Sequence, residues 1–203
     1  MFSLKHNFIF VHIPKTGGNS IQNILMRYSE DRIVSVAPHH DGIERFQIRS
    51  SGLNLHKHST LSDYQRELGE VRVRTMFKFT SVRNPWERMI SLYFSPHSRR
   101  TSWDRDEFIN VVTRATSIAH HVSLRKDPDV FNKVDYIIRF EQLNEDFKKV
   151  CELIGIPEAV LPVRNKSRRE YYAKYYDGEL VEIVRNRFIH EIEHFHYEFI
   201  RSN

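Results

Sequence analysis

The 203-residue chain contains one cysteine, Cys151, which excludes an internal disulfide and the disulfide-stapled class of small secreted folds. Cys151 lies in an apolar-periodic stretch, where it fills core space; a reducing compartment, the cytoplasm, is the expected location. Glycine and proline are scarce, seven of each, which excludes a collagen-like or low-complexity chain. No apolar run approaches the roughly 20 residues that a membrane span needs. The run Phe8 to Ile13 is too short for a signal peptide and is interrupted by His12. Neither a secretory route nor a membrane partner is expected.

What is present is ordinary globular material, 40% hydrophobic and 28% charged, in a length that suits a single domain over residues 1–203. The formal charge of +5 favours an anionic partner without choosing among nucleic acid, a polyanionic glycan and a charged nucleotide. FIFVHI (Phe8 to Ile13) is a short β-rich run ended by Pro14, Lys15, Thr16 and the pair Gly17 and Gly18. Ile21, Ile24, Leu25 and Tyr28 then recur at helical spacing. A second strand with Phe77 and Phe79 ends at Val82. A helix follows it, with Asn84 as cap, Pro85 in first position, Glu87 completing the cap, and Trp86, Met89, Ile90 and Tyr93 as its buried stripe.

VDYIIRF (Val134 to Phe140) is a third strand candidate. Leu143, Phe147, Val150 and Ile154 mark the next helix, stopped by Gly155 and Pro157, and Asp177 caps another from about Gly178 to Phe188. Strands alternating with helices predict an α/β fold with a mostly parallel central sheet covered on both faces. Residues 29 to 58 and 95 to 106 read as polar, irregular connections that could bind an acceptor, and Ser62 opens a helical stretch.

A strand that feeds a helix through a glycine loop is an anion site, since loop amides, the helix N-terminus and Lys15 all point positive charge at one place. Lys15 precedes the glycines, whereas a Walker A loop places its lysine after them. FIFVHIPKTGGNSI (Phe8 to Ile21) resembles the 5'-phosphosulfate loop of the carbohydrate-type sulfotransferases, those like heparan sulfate 2-O-sulfotransferase. SVRNPWERMISLY (Ser81 to Tyr93) resembles the same family's 3'-phosphate motif. RFEQLNEDF, LPVRNKS and the tyrosine-rich tail extend the resemblance over most of the chain.

The resemblance implies a P-loop-containing nucleotide-binding fold and transfer of a sulfuryl group from 3'-phosphoadenosine 5'-phosphosulfate (PAPS) to a hydroxyl, on a carbohydrate by preference, leaving 3'-phosphoadenosine 5'-phosphate (PAP). It implies that Lys15, Thr16, Gly17, Gly18, Asn19 and Ser20 hold the 5'-phosphosulfate, that Arg83 and Ser91 hold the 3'-phosphate, and that Asn165, Lys166 and Ser167 belong to a closing loop. A guanidinium at Arg83 suits phosphate oxygens by its paired donors.

The acceptor must lose a proton, and histidine is the usual agent at neutral pH. His58 is the first choice and His56 the second, because they flank Lys57 in a segment resembling the family's acceptor-side histidine region. HEIEH (His190 to His194) matches a zinc-protease pattern only formally, since a third ligand is missing, and His39, His40 and Asp41 are too close in sequence to wrap one ion; no metal is expected. Tyr171, Tyr172, Tyr175 and Tyr176 could stack on sugars or pack a core edge. Two other classes compete: a P-loop kinase or NTPase, which would need Mg²⁺, and a non-catalytic basic module using Arg99, Arg100, Arg105, Arg168 and Arg169. No nucleic-acid-binding motif is evident.

Overall fold

A computed structural model describes residues 1–36, 44–48, 52–95, 98, 100–124, 131–162 and 170–201. Its elements in chain order are β1 (Phe2–Ser3), β2 (Phe8–Val11), α1 (Gly18–Leu25), β3 (Asp31–Val36), β4 (Glu44–Ile48), α2 (Leu61–Leu68), α3 (Glu70–Thr75), β5 (Phe77–Val82), α4 (Pro85–Tyr93), α5 (Arg105–Arg114), α6 (Ile118–Val122), β6 (Tyr136–Arg139), α7 (Leu143–Ile154), α8 (Gly178–Arg187) and α9 (Ile189–Phe195). The chain divides into two compact units, Met1–Val82 with Ile118–Asn165, and Arg83–Ser117 with Lys166–Asn203.

The first unit is an α/β layer on a four-stranded mixed sheet of order β1-β2-β5-β6. β2, β5 and β6 run parallel, with Phe10 opposite Phe79 and Thr80 opposite Ile137, and β1 is antiparallel to β2. Every residue of β2 is buried, as expected of a strand covered on both faces. Phe8 and Phe10 join Phe79, Ile138, Ile21 and Leu25 of α1, and Phe147, Val150, Cys151 and Ile154 of α7 in one cluster. Each large side chain there contributes about 1.5–3 kcal/mol by leaving water. Burial also pushes the Cys151 thiol pKa up, in keeping with a core filler. Gly155 closes α7 in the left-handed region, at φ 66°.

Two expectations are corrected in this unit. The span 29 to 58 contains an antiparallel hairpin, β3 with β4, Asp31 opposite Ile48. The cap of α2 is Thr60, whose hydroxyl accepts from Asp63 N–H while the Asp63 carboxylate accepts from Thr60 N–H, so the helix opens there and Ser62 is already inside it.

The second unit is helical. Asn84 Oδ1 accepts from Trp86 N–H and Pro85 takes the first position of α4, and Trp86, Met89, Ile90 and Tyr93 are fully buried. Part of the expected loop 95 to 106 is helix, since α5 starts at Arg105 behind the cap Asp104. The tyrosines pack. Tyr176 OH donates to Trp86 O at 2.8 Å, its ring meets Phe108 at 5.5 Å, and the Tyr175 ring meets Trp103 at a tilt, 5.1 Å away. Tyr171 alone of the four is exposed, at 43%.

Candidate active site

β2 ends in a loop that leads straight into α1, and the loop's backbone explains its composition. Gly17 sits at φ 89°, a conformation that glycine adopts without steric penalty. Lys15, at φ 70°, holds the left-handed region despite its side chain, a strain of the kind that gathers at ligand sites. Thr16 has no exposure; its hydroxyl donates to Ile13 O at 2.9 Å and shares a 2.7 Å hydrogen bond with Ser81 Oγ of β5. Ser20 N–H donates to Gly17 O at 3.0 Å, closing the first turn of the helix. The Thr16 side chain thus fastens the loop to the sheet, while the backbone amides at the start of α1 carry the positive end of the helix dipole.

Beneath this turn lies His12, a residue that the sequence showed only as a break in an apolar run. Phe8, Phe10 and His12 alternate along the strand direction, and the His12 ring stacks on Phe10 at 5.7 Å. A Cβ on Gly18 would fall 2.1 Å from His12 Cδ2 and 2.2 Å from Nε2, so Gly18 is glycine because the imidazole occupies its side-chain space. His12 is 3% exposed. Burial, followed by repulsion from His58 and Lys57, lowers its pKa well below the ordinary histidine value, so the ring is neutral near pH 7.

His58 meets His12 twice. Its Nδ1 lies 2.9 Å from the carbonyl oxygen of His12, and the two rings form an edge contact at 4.7 Å. A carbonyl only accepts, so Nδ1 is the nitrogen that carries a proton in this contact. His58 is solvent-accessible. The neighbouring His56 is also exposed, and its backbone exchanges hydrogen bonds with Ser59 at 2.8 and 3.0 Å, which shapes the turn before α2. Among the described residues no contact orients the His56 ring.

In the second unit Arg83, 7% exposed, donates from Nη2 to the Glu87 carboxylate one helical turn on. Glu87, expected to complete the cap, therefore holds Arg83; Ser91 follows on the same face of α4, half-buried. Arg88 and Glu191 are 2% exposed and lie 3.6 Å apart, and Arg88 also donates to Thr116 O at 2.7 Å. Glu191 of HEIEH is thus turned inward as an arginine partner, while His190 and His194 are exposed. The described residues contain no group of three or more side chains able to hold a metal ion.

Of the arginines that suggested a basic module, Arg100 pairs with Glu107 at 2.7 Å and Arg105 with Asp177 at 3.2 Å. Arg99, Arg168 and Arg169, the loop Asn165, Lys166 and Ser167, and His39, His40 and Asp41 lie outside the described residues. No helix among the described residues is long and apolar enough to cross a membrane.

Residues 1–198 match the sequence profile of the sulfotransferase family. No curated protein sequence matches the chain. Among solved structures, a sulfotransferase from Alicyclobacillus acidocaldarius aligns over 95% of this chain and 96% of its own length, with a TM-score of 0.48 and 17% identity. Mouse sulfotransferase SULT7A1, complexed with PAP, aligns over 95% of this chain and 68% of its own, with a TM-score of 0.44 and 19% identity.

Proposed function

The chain belongs to the sulfotransferase family, and we propose that it transfers the sulfuryl group of PAPS to an acceptor hydroxyl, with His58 as general base. One observation carries the assignment of the base. The hydrogen bond from His58 Nδ1 to the carbonyl of His12, 46 positions away in the sequence, supports it, since it ties this histidine to the strand that leads into the Lys15 loop and uses Nδ1 as the donor. Nε2 is then the atom that accepts a proton. His56, with no comparable tether, is the second choice, suited to contacting the acceptor.

PAPS supplies the sulfuryl group, already attached to a phosphate leaving group. Lys15 and the backbone amides from Thr16 to Ser20 would hold its 5' end, with Thr16 acting through its backbone because its hydroxyl is engaged inside the fold. Arg83 and Ser91 would hold the 3'-phosphate. His58 Nε2 takes the acceptor proton as the acceptor oxygen forms its bond to sulfur. Lys15 and the loop amides stabilise the negative charge that grows on the bridging oxygen as the old S–O bond breaks. The products are the sulfated acceptor and PAP, in balance with the proton on His58.

A carbohydrate hydroxyl is the acceptor class favoured by the likeness of the two phosphate motifs to carbohydrate-type enzymes. With Tyr172, Tyr175 and Tyr176 packed inside the second unit, any sugar stacking on the tyrosine run falls to Tyr171. The test is a transfer assay with labelled PAPS against glycans and small alcohols, run beside melting scans with PAP, AMP, ATP and GTP. PAP should raise the melting temperature most; equal shifts with all four nucleotides would remove the 3'-phosphate site.

A further inference from the structure

His12 carries an imbalance that the fold alone does not resolve. A neutral imidazole has one N–H and one lone pair, and buried polar groups of this kind are almost always hydrogen-bonded. Yet His12 Nδ1 is shielded from solvent without a hydrogen-bond partner, and among the described residues Nε2 has none either. The ring stacks on Phe10, meets the edge of His58 and fills the side-chain space of Gly18. Leaving such a group unmade destabilises a fold, whereas phenylalanine would fit the same stack without that penalty.

Two details say where the missing partner comes from. Of the two ring nitrogens, only Nδ1 is fully shielded from solvent. Nε2, not Nδ1, is the nitrogen on the Gly18 side, at the first turn of α1. That turn is where loop amides and Lys15 gather an anion.

The geometry points to His12 as a further ligand-binding residue, donating a hydrogen bond from Nε2–H of its neutral ring to an oxygen of the 5'-phosphosulfate or 5'-phosphate group seated on the loop. The inference rests on the reading of Lys15 to Ser20 as the 5' cradle and deepens it. A neutral donor suits this place: it binds the oxyanion without adding a second full charge beside Lys15, which would hold the product as firmly as it stabilises the transition state. The anion in turn fixes the tautomer, since only Nε2 meets an acceptor.

The experiment is calorimetric titration of wild type, H12F and H12Q with PAP, AMP and adenosine 3'-monophosphate. H12F should weaken PAP and AMP by the same factor, about tenfold for one hydrogen bond to a charged group, and leave adenosine 3'-monophosphate unchanged. H12Q, which keeps a donor, should recover part of the loss. Melting of ligand-free H12F at or above the wild-type temperature shows that the loss is not misfolding. H12F binding PAP and AMP like wild type overturns the inference and leaves the loop reading standing; wild type failing to bind either nucleotide takes down both. Should H12F not fold, the wild-type imidazole ¹⁵N spectrum decides. The His12 Nε2 resonance must move on adding AMP, and no movement overturns the inference.

Discussion

Gly18→Ala is the sharpest test of how the loop is built, because Gly178→Ala provides a matched control. Both glycines are the first residue of a helix, α1 or α8, so the gain in helix propensity, at most about 1 kcal/mol, is shared. Nothing lies within 4 Å of a Cβ on Gly178, whereas a Cβ on Gly18 falls 2.1 Å from His12 Cδ2. Ordinary contact needs well over an ångström more, and the ring is hemmed in by Phe10 at 5.7 Å and His58 at 4.7 Å.

Overpacking of this kind costs about 1–3 kcal/mol, so G18A should lose about 1–2 kcal/mol net while G178A stays neutral or gains. Displacing His12 also moves the carbonyl and ring that hold His58, so turnover should fall in G18A beyond what its stability explains. Urea unfolding and transfer at saturating PAPS measure the two effects. In an H12A background the same substitution should lose most of its effect, as contacting residues couple in a double-mutant cycle. G18A as stable and as active as G178A would refute the packing argument.

Other expectations follow from neighbouring groups. The His12 pKa is lowered in the fold, so below about pH 6.5 the unfolded chain binds a proton that the folded one does not, and stability falls by up to about 1.4 kcal/mol per pH unit until the folded value is reached; unfolding titrations from pH 8 to 5 should show this slope, and H12F should flatten it. E191Q leaves Arg88 without its buried counter-charge and should lose about 3 kcal/mol in urea unfolding, because breaking a buried pair strands the other ion. H190A and H194A, at exposed positions, should stay within about 0.5 kcal/mol of wild type; zinc bound stoichiometrically and lost from these variants would contradict the inward pairing of Glu191. K15A should reduce kcat much further than PAP affinity, since its charge matters most as the S–O bond breaks.

The strands and helices that were legible in the sequence were those whose burial leaves a periodic trace. FIFV is buried throughout, FKFTSV from Phe79 on, and YIIR at Ile138, and Ile21, Leu25 and the Trp86 to Tyr93 stripe keep helical spacing. β1, of two residues, is too short to show a period at all. The β3–β4 hairpin was hidden by a charged, mixed composition that resembled a loop. The Lys15 loop, Arg83 and the two candidate histidines stand in motifs and could be named, but their partners could not.

Nothing local says that Glu191 turns inward to Arg88, 103 positions away in the sequence. His12 did leave a signal: it is a polar residue on the inward face of Phe8 and Phe10, followed by a glycine where a helix begins. Glu87 left one as well, four residues after Arg83, the spacing of a helical ion pair.

Sulfuryl transfer is tested most directly with purified protein and ³⁵S-labelled PAPS across a panel of glycans and small alcohols, comparing wild type with H58A and H56A. The expected result is label on an acceptor hydroxyl and PAP in equal amount, turnover in H58A lower by about 10²-fold with PAP affinity unchanged, and a raised acceptor KM in H56A. Transfer by H58A at the wild-type rate would contradict the assignment of the base, and bound PAPS that never yields its sulfuryl group to any hydroxyl would contradict the function itself.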